Sequence, residues 1–213
     1  MSKAAARLEL PVPPRARRSH AERTAETRAK IIAAVVDSIA AVGFQRTTAQ
    51  EIAHRAGVTW GAVQHHFGGK DGLLIAVLEE SFNRFAERLD DVSLDSTDLT
   101  TRAALFVDRA WAHFRSRHYR STFEILLNHL GRAAEPSDAD WRTRMARAWD
   151  GVWSRIFADS PLPRQQSLAL QHFTVSALSG LASTSMLGGA RAVAPKRQLE
   201  LLKRTLAREL RGT

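Results

Sequence analysis

Apolar residues recur at intervals of three and four along nearly the whole chain, and no segment alternates with the period of two that a half-buried strand requires. Over residues 25–42, Ile31, Ile32, Val35, Ile39 and Val42 share one helical face, and Gly43 follows as a stop. Thr48 stands three residues before Glu51, the spacing of a capping box, and predicts a short second helix running to Ala56. Gly57 separates it from a third short helix, capped by Thr59 and running to about His66. A longer fourth helix starts near Lys70 with Leu74, Leu78, Phe82, Phe85 and Leu89 on one side. Beyond the polar turn DVSLDSTD, Ala104, Val107, Trp111, Phe114 and His118 form one stripe, and Phe123, Leu126, Leu127 and Leu130 form a shorter one ended by Gly131. Trp141, Met145, Trp149, Val152 and Ile156 predict a helix that begins after the loop EPSDAD and breaks at SPLP. Residues 164–187 are apolar around most of the helix, and Leu199, Leu202, Leu206 and Leu210 after Pro195 make a narrow seam flanked by Lys203, Arg204, Arg208 and Arg211. The reading is all-α.

Composition narrows the class. At 44% hydrophobic and 25% charged, the chain is neither a membrane nor a disordered protein. The absence of cysteine excludes disulfides, thiolate metal sites and a cysteine redox sensor. No signal peptide or spanning segment is visible, so a cytoplasmic location and no membrane partner are expected. The net charge of +9 is concentrated at the front: residues 1–70 carry 11 Lys and Arg against 5 Asp and Glu. A basic region of this kind suits a polyanion, although solvated tails look the same. The opening residues, with Pro11, Pro13 and Pro14 among Arg15, Arg17 and Arg18, read as a flexible basic arm over 1–20.

The stretch GVTWGAVQHHFGGK at residues 57–70 admits three chemistries. A phosphate loop requires a glycine where Gln64 stands and a Ser or Thr where Asp71 stands, and no strand leads in. A metal site requires converging ligands, whereas adjacent His65 and His66 diverge by about 100° on a helix, and His54 is not in phase with either. No metal or other cofactor is expected. A helix-turn-helix accounts for more positions: Ala53 is small where two helices cross, Gly57 tolerates positive φ in the turn, and Val63 anchors the second helix, with Ile52, Ala56 and Val58 completing a small core. A plain helical hairpin that binds nothing satisfies the same three positions.

The run TTAQEIAHRAGVTWGAVQHHFGGKDGLL, after a helix ending in VGF, resembles the tetracycline-repressor (TetR) family of bacterial one-component regulators. The resemblance covers the first third of the chain beyond the arm. It implies a three-helix DNA-binding domain over residues 21–69, with the helix-turn-helix at about 48–67, and a helical effector-binding and dimerisation domain over 70–213. It makes 59–66 the recognition helix in the major groove, with Gln50, Trp60 and Ala62 near base edges and Gly61 permitting close approach. Thr48, Thr59, Gln64, His65 and Lys70 fall at or near DNA contacts, mostly to phosphates, which fix register rather than sequence. His66 and Phe67 are expected to pack inside. Two positions depart from the family: Gln64 stands where Tyr is common, and Trp60 is unusual for a base reader, so it either meets thymine methyls or leans onto the domain surface.

The expected effector is a small, largely apolar molecule held in the second domain, with Trp111, Phe114, His118, Phe123 and Leu126 as one group of candidates and Trp149, Trp153, Phe173 and Met186 as another. Any of these is equally at home in an ordinary core, as is His129. Dimerisation is expected through the last two helices, where Ser176, Gly180, Ala182 and Ser183 permit close approach and the final leucine seam packs alongside. The resulting reading is a non-enzymatic, ligand-responsive repressor that binds a palindromic double-stranded DNA operator as a homodimer. The alternatives are a non-specific architectural DNA binder and a helical-bundle enzyme; no carboxylate pair, nucleophile elbow or metal spacing supports the latter.

Overall fold

The computed structural model describes residues 19–90, 98–128, 136–188 and 195–212. The predicted arm up to residue 18, the polar turn at 91–97 and the positions His129, Leu130 and Gly131 lie outside the described residues. Among those described, the chain is helical throughout, in the order α1 (His20–Val42), a 3₁₀ turn (Phe44–Arg46), α2 (Ala49–Ala56), α3 (Trp60–Phe67), α4 (Lys70–Glu87), α5 (Leu99–Phe114), α6 (Arg117–Asn128), α7 (Pro136–Ile156), α8 (Arg164–Gly188) and α9 (Lys196–Leu210).

Helix α1 starts five residues earlier than its apolar stripe. Ser19 accepts from the Glu22 amide at 3.1 Å while the Glu22 carboxylate accepts from the Ser19 amide at 2.7 Å, a reciprocal capping box that stabilises a polar first turn without burial. Only half of the box predicted for α2 forms. Thr48 accepts from the Glu51 amide, but the Glu51 carboxylate turns to Arg55 at 2.5 Å. Helix α7 likewise begins inside the predicted loop, with Pro136 in the first turn, where a missing N–H costs no helical hydrogen bond.

The apolar side chains divide into two clusters. One joins Ile31, Val35 and Ile39 of α1 to Ile52, Val63 and the first half of α4 through Leu73, Leu74 and Val77, with Ile125 of α6 and Trp141 of α7 reaching in. The other gathers Phe85 and Leu89 from the far half of α4 with α5, the end of α7, α8 and α9. The core therefore changes hands within α4, and a boundary between residues 69 and 70 divides the sequence at a helix start rather than at a gap in packing.

Three predicted stripes are corrected. The buried face of α5 is Ala103, Phe106, Val107, Ala110 and Phe114, one position out of phase with the predicted Ala104 and Trp111, and His118 belongs to α6 because the chain turns at 115–116. On α6 the buried residues are Tyr119, Ser121, Thr122 and Ile125, whereas Leu127 is 62% exposed. The leucine seam of α9 is buried in its own subunit's bundle core, so it is not available to a second copy.

The least expected core member is Arg102 of α5, 2% exposed. It donates to the Ile156 carbonyl at 2.8 Å and to the Asp159 carboxylate at 2.5 Å, closing the C-terminal end of α7 against α5. The favourable end of a helix dipole and a carboxylate together compensate the buried charge, and the same contact holds the Asp159 carboxyl below its usual range. Arg102→Ala is expected to destabilise the chain by about 3–5 kcal/mol, because it strands the Ile156 carbonyl and opens a cavity. Arg102→Met, which keeps the volume, is expected to cost less; urea unfolding of both variants measures the difference.

Candidate nucleic-acid interface and inner cavity

The helix-turn-helix is built by its caps and one anchor. Gly57 ends α2 at φ 66°, ψ 34°, a left-handed conformation that redirects the chain toward Thr59. Thr59 accepts from the Ala62 amide at 3.2 Å and starts α3. Val63 is fully buried against α1 and α4, which fixes the rotation of α3 about its axis. That rotation leaves Gly61, Gln64 and His65 exposed on the outer side, with Thr48, Gln50, Thr59 and Lys70 also exposed around them. Ala62 is half-buried. The capping oxygens of Thr48 and Thr59 are used as acceptors, so each hydroxyl hydrogen remains for an outside acceptor.

Trp60 is half-buried and packs on the N-terminal cluster, so part of its indole is committed to the domain and only part faces outward. Lys70 lies over the Phe44 ring with its ammonium 5.8 Å from the centroid. His66 and Phe67 are only half-buried, so neither packs fully inside as the sequence implied; Phe67 lies against the edge of the N-terminal cluster and His66 borders an open cleft.

Two elements escape sequence reasoning. Arg28 of α1 donates to the His66 carbonyl at 2.5 Å and lies 4.3 Å over the Phe67 ring, tying α1 to the C-terminal, electronegative end of α3. Its signal was position: Arg28 stands three and four residues before Ile31 and Ile32, so a charge occupies the apolar stripe. Gly72 is the second. A Cβ built on it falls 2.0 Å from the Phe67 carbonyl oxygen, so α4 can start against the end of α3 only without a side chain there. The first two turns of α1 join the outer surface as well, where His20, Arg23 and Thr27 border an open cleft with His65 and His66.

A cavity of about 280 Å³ lies between α4, α5, α6, α7 and α8. Of the predicted effector residues it is lined by Phe114, Leu126 and Trp149. The others are elsewhere: Trp111, Phe123 and Met186 pack half-buried on the bundle core, and Trp153 is core, its indole N–H donating to Ser167 at 3.0 Å. Phe173 is 52% exposed on α8, and His118 is outside the lining, with its Nε2 buried and unpartnered. The polar lining residues that were missed include His113, Tyr119 and Thr122, because the α5 and α6 stripes were read out of phase, and Ser81 of α4 and Ser179 of α8. Tyr119 and Ser179 share a hydrogen bond at 3.0 Å across α6 and α8. Burial holds the Tyr119 phenol above its usual range despite that bond.

His113 packs edge-on against Phe85 at 5.3 Å and Tyr119 at 5.5 Å. Burial, with His118 and Arg88 nearby, lowers its pKa to about 4, so the imidazole is neutral at physiological pH.

Comparison with known proteins agrees with this geometry. Residues 31–77 match the family described as "Bacterial regulatory proteins, tetR family". The chain is 29% identical to the HTH-type transcriptional regulator BetI of Burkholderia lata, over 68% of this chain and 90% of that protein. Among solved structures, a transcriptional regulator from Rhodococcus sp. Rha1 superposes with a TM-score of 0.67 at 23% identity, covering 87% of this chain and 96% of the other. The fatty acid degradation regulator FadR from Bacillus halodurans does so with 0.64 at 16% identity, covering 86% and 94%.

The neutral imidazole has a measurable signature. Between pH 6.5 and 4 the unfolded chain takes up a proton at His113 that the folded chain refuses, so stability falls as pH drops through that window. From pH 7 to pH 5 this one group is expected to remove about 2 kcal/mol. Urea midpoints of wild type and His113→Phe at both pH values check it, since the substitution removes that part of the pH dependence.

Proposed function

Because this chain belongs to the TetR family of bacterial regulatory proteins, we propose that it is a ligand-responsive transcriptional repressor that binds a palindromic operator as a homodimer, in the cytoplasm. The observation that supports this most directly is the outer side of α3: a helix fixed by Val63 and Arg28 that turns Gly61, Gln64 and His65 outward. In this reading 59–66 enters the major groove. Gln64 offers both an amide donor and an acceptor, the pair that adenine N7 and N6 present, while the free hydroxyl hydrogens of Thr48 and Thr59, with His65 and Lys70, go to phosphates. Gln50, Ala62 and the outward part of Trp60 complete the groove face. Arg23 and His20 extend the phosphate-facing surface to the start of α1.

The dimer is assigned to α8, with a correction to its partner element. Phe173, Ser176, Gly180, Thr184 and Leu187 recur at helical spacing and are all exposed, and the position of Gly180 has no heavy atom within 4 Å of an added Cβ. This stripe of two large and three small residues supports close packing of two α8 helices about a two-fold axis. On α9 the outward side, where Leu201 is 58% exposed, replaces the buried leucine seam as the second proposed surface. Such a dimer presents its recognition helices about 34 Å apart, or further by whole turns of DNA.

Switching runs through α4. Its first half packs beneath α3 and its second half carries Leu78, Ser81, Phe82 and Phe85 into the cavity wall. A molecule that binds the cavity better in one tilt of α4 than in another changes the separation of the recognition helices by that difference in affinity.

Gly61 supplies the test of the DNA face. A methyl group there meets only the Thr59 hydroxyl, at 3.8 Å, so Gly61→Ala is expected to raise stability by up to about 1 kcal/mol. If α3 approaches base edges closely, the same variant loses at least about tenfold in affinity for an operator selected from a random library. Unchanged affinity would remove α3 from the groove, and equal binding to operator and random DNA at two salt concentrations would favour the architectural reading. For the dimer, Phe173→Asp is expected to sediment as a folded monomer at micromolar concentration where wild type is a dimer.

A further inference from the structure

We infer that the inner cavity selects an uncharged, mostly aromatic or aliphatic ligand of about bicyclic size carrying one hydroxyl or carbonyl oxygen, and that His113 is the hydrogen-bonding group that recognises that oxygen. The inference rests on reading the chain as a ligand-responsive regulator and names the class of ligand.

The walls set the apolar body. Phe82, Phe85 and Trp149 pack as one cluster, with Trp149 5.4 Å from Phe82 and 4.4 Å from Phe85, and Phe114 lies against Tyr119 at 4.6 Å. Among the described residues, no Asp, Glu, Lys or Arg belongs to the lining. A carboxylate entering this space would lose its hydration with no cation to meet it, and an ammonium would meet no carboxylate; either costs several kcal/mol. A volume of about 280 Å³ sits at the lower edge of ordinary ligand pockets, which excludes long or branched molecules.

The polar groups set the oxygen. Ser81 is buried, Thr122 already donates to the His118 carbonyl at 3.0 Å, and Tyr119 and Ser179 satisfy each other. His113 is different: it is 6% exposed and packs edge-on against the rings of Phe85, Phe114 and Tyr119. A neutral imidazole offers one donor and one acceptor, and leaving both unpaired in an apolar site is costly. The indole N–H of Trp141, in the same wall, is buried with no acceptor. An imidazole and a partnerless indole N–H in one apolar wall are matched by a ligand oxygen, which can accept from a ring N–H and, as a hydroxyl, also donate.

The larger groove nearby, about 660 Å³ between α7 and α8, does not compete for this role. It carries Arg147, Asp150, Arg164 and His172 beside Ser176 of the proposed dimer face, with Asp150 paired to Arg164 at 2.9 Å. Trp149 and Val175 line both spaces and form the partition between them.

Calorimetric titration of the full-length protein with 2-naphthylmethanol, 2-naphthoate, 2-naphthylmethylammonium and 2-methylnaphthalene tests the inference. The alcohol is expected to bind at least tenfold more tightly than either ion and several-fold more tightly than the hydrocarbon. In His113→Phe the preference for alcohol over hydrocarbon is expected to vanish while the hydrocarbon still binds. His113→Gln, which restores a donor and an acceptor, is expected to recover part of it. Ions binding as well as the alcohol, or an unchanged alcohol preference in a His113→Phe protein with wild-type circular dichroism, would overturn the assignment. Failure of every probe in a protein that still binds its operator would also overturn it and leave the regulator reading standing, whereas loss of operator preference in wild type would strike that reading instead.

Discussion

Helix α4 has to satisfy two cores at once, and much of the structure follows from that constraint. Leu73, Leu74 and Val77 are buried under the helix-turn-helix, and two turns later Phe85 and Leu89 are buried in the bundle. Close-packed interiors do not deform continuously, so a tilt at one end of a rigid helix must be absorbed by repacking at the other. The junction with α3 offers no slack: the backbone of Gly72 comes so near the Phe67 carbonyl that even a methyl group is excluded. Helix α3 is therefore seated on the same rod whose far half forms the cavity wall.

A second tie runs through α6 and closes the mechanical frame. Ser121 donates to the Val36 carbonyl of α1 at 3.0 Å, the Glu124 carboxylate accepts from the Phe44 amide at 2.9 Å, and Asn128 accepts from the Gln45 side chain at 2.8 Å. On the same helix Tyr119, Thr122 and Leu126 line the cavity. Both α4 and α6 thus connect the cavity to the DNA-binding domain, one beneath α3 and the other against the end of α1. A motion that used α4 alone would strain the α6 contacts, so the two helices are expected to shift as a pair against α1.

What the sequence made legible follows from which forces are local. The helix-turn-helix is set by caps, a left-handed glycine and one apolar anchor, all within about twenty residues, and its reading at Thr48, Gly57, Thr59 and Val63 corresponds to the structure. The start of α1 was missed because Ser19 and Glu22 stabilise a polar turn by hydrogen bonds rather than burial, leaving nothing for a hydrophobic pattern to register. In the bundle the failure was one of phase. The residues around Trp111 are apolar on more than one side, and only tertiary packing decides that Phe106, Ala110 and His113 face inward while Trp111 is left at the margin. The α9 leucines show the complementary limit: a clean seam reveals that a face is buried but not whether the covering partner is the same subunit or another. The partners of Arg102 and Arg28 were unreadable for a related reason, since each is compensated by a carbonyl distant in sequence, at Ile156 and at His66.

The two ends of α4 also differ in electrostatic character, and this constrains how a signal can be encoded. The end beneath α3 adjoins an exposed face that carries Arg23, His65 and Lys70, where charge sets affinity and salt dependence. The cavity end has no charged side chain among the described residues of its wall, and its histidine is neutral. A ligand there cannot act by neutralising or adding charge near the operator; it acts through differential burial. A useful allosteric coupling of about 1–3 kcal/mol corresponds, at about 25 cal/mol per Å² of apolar surface, to a difference of only about 40–120 Å² between the two states. One phenylalanine ring is of that order. Phe82 and Phe85, both on α4 and both in the cavity wall, supply such an area on the element that must move. A small uncharged molecule is therefore sufficient to drive the switch, provided that it packs on those rings in one tilt of α4 and loses that contact in the other.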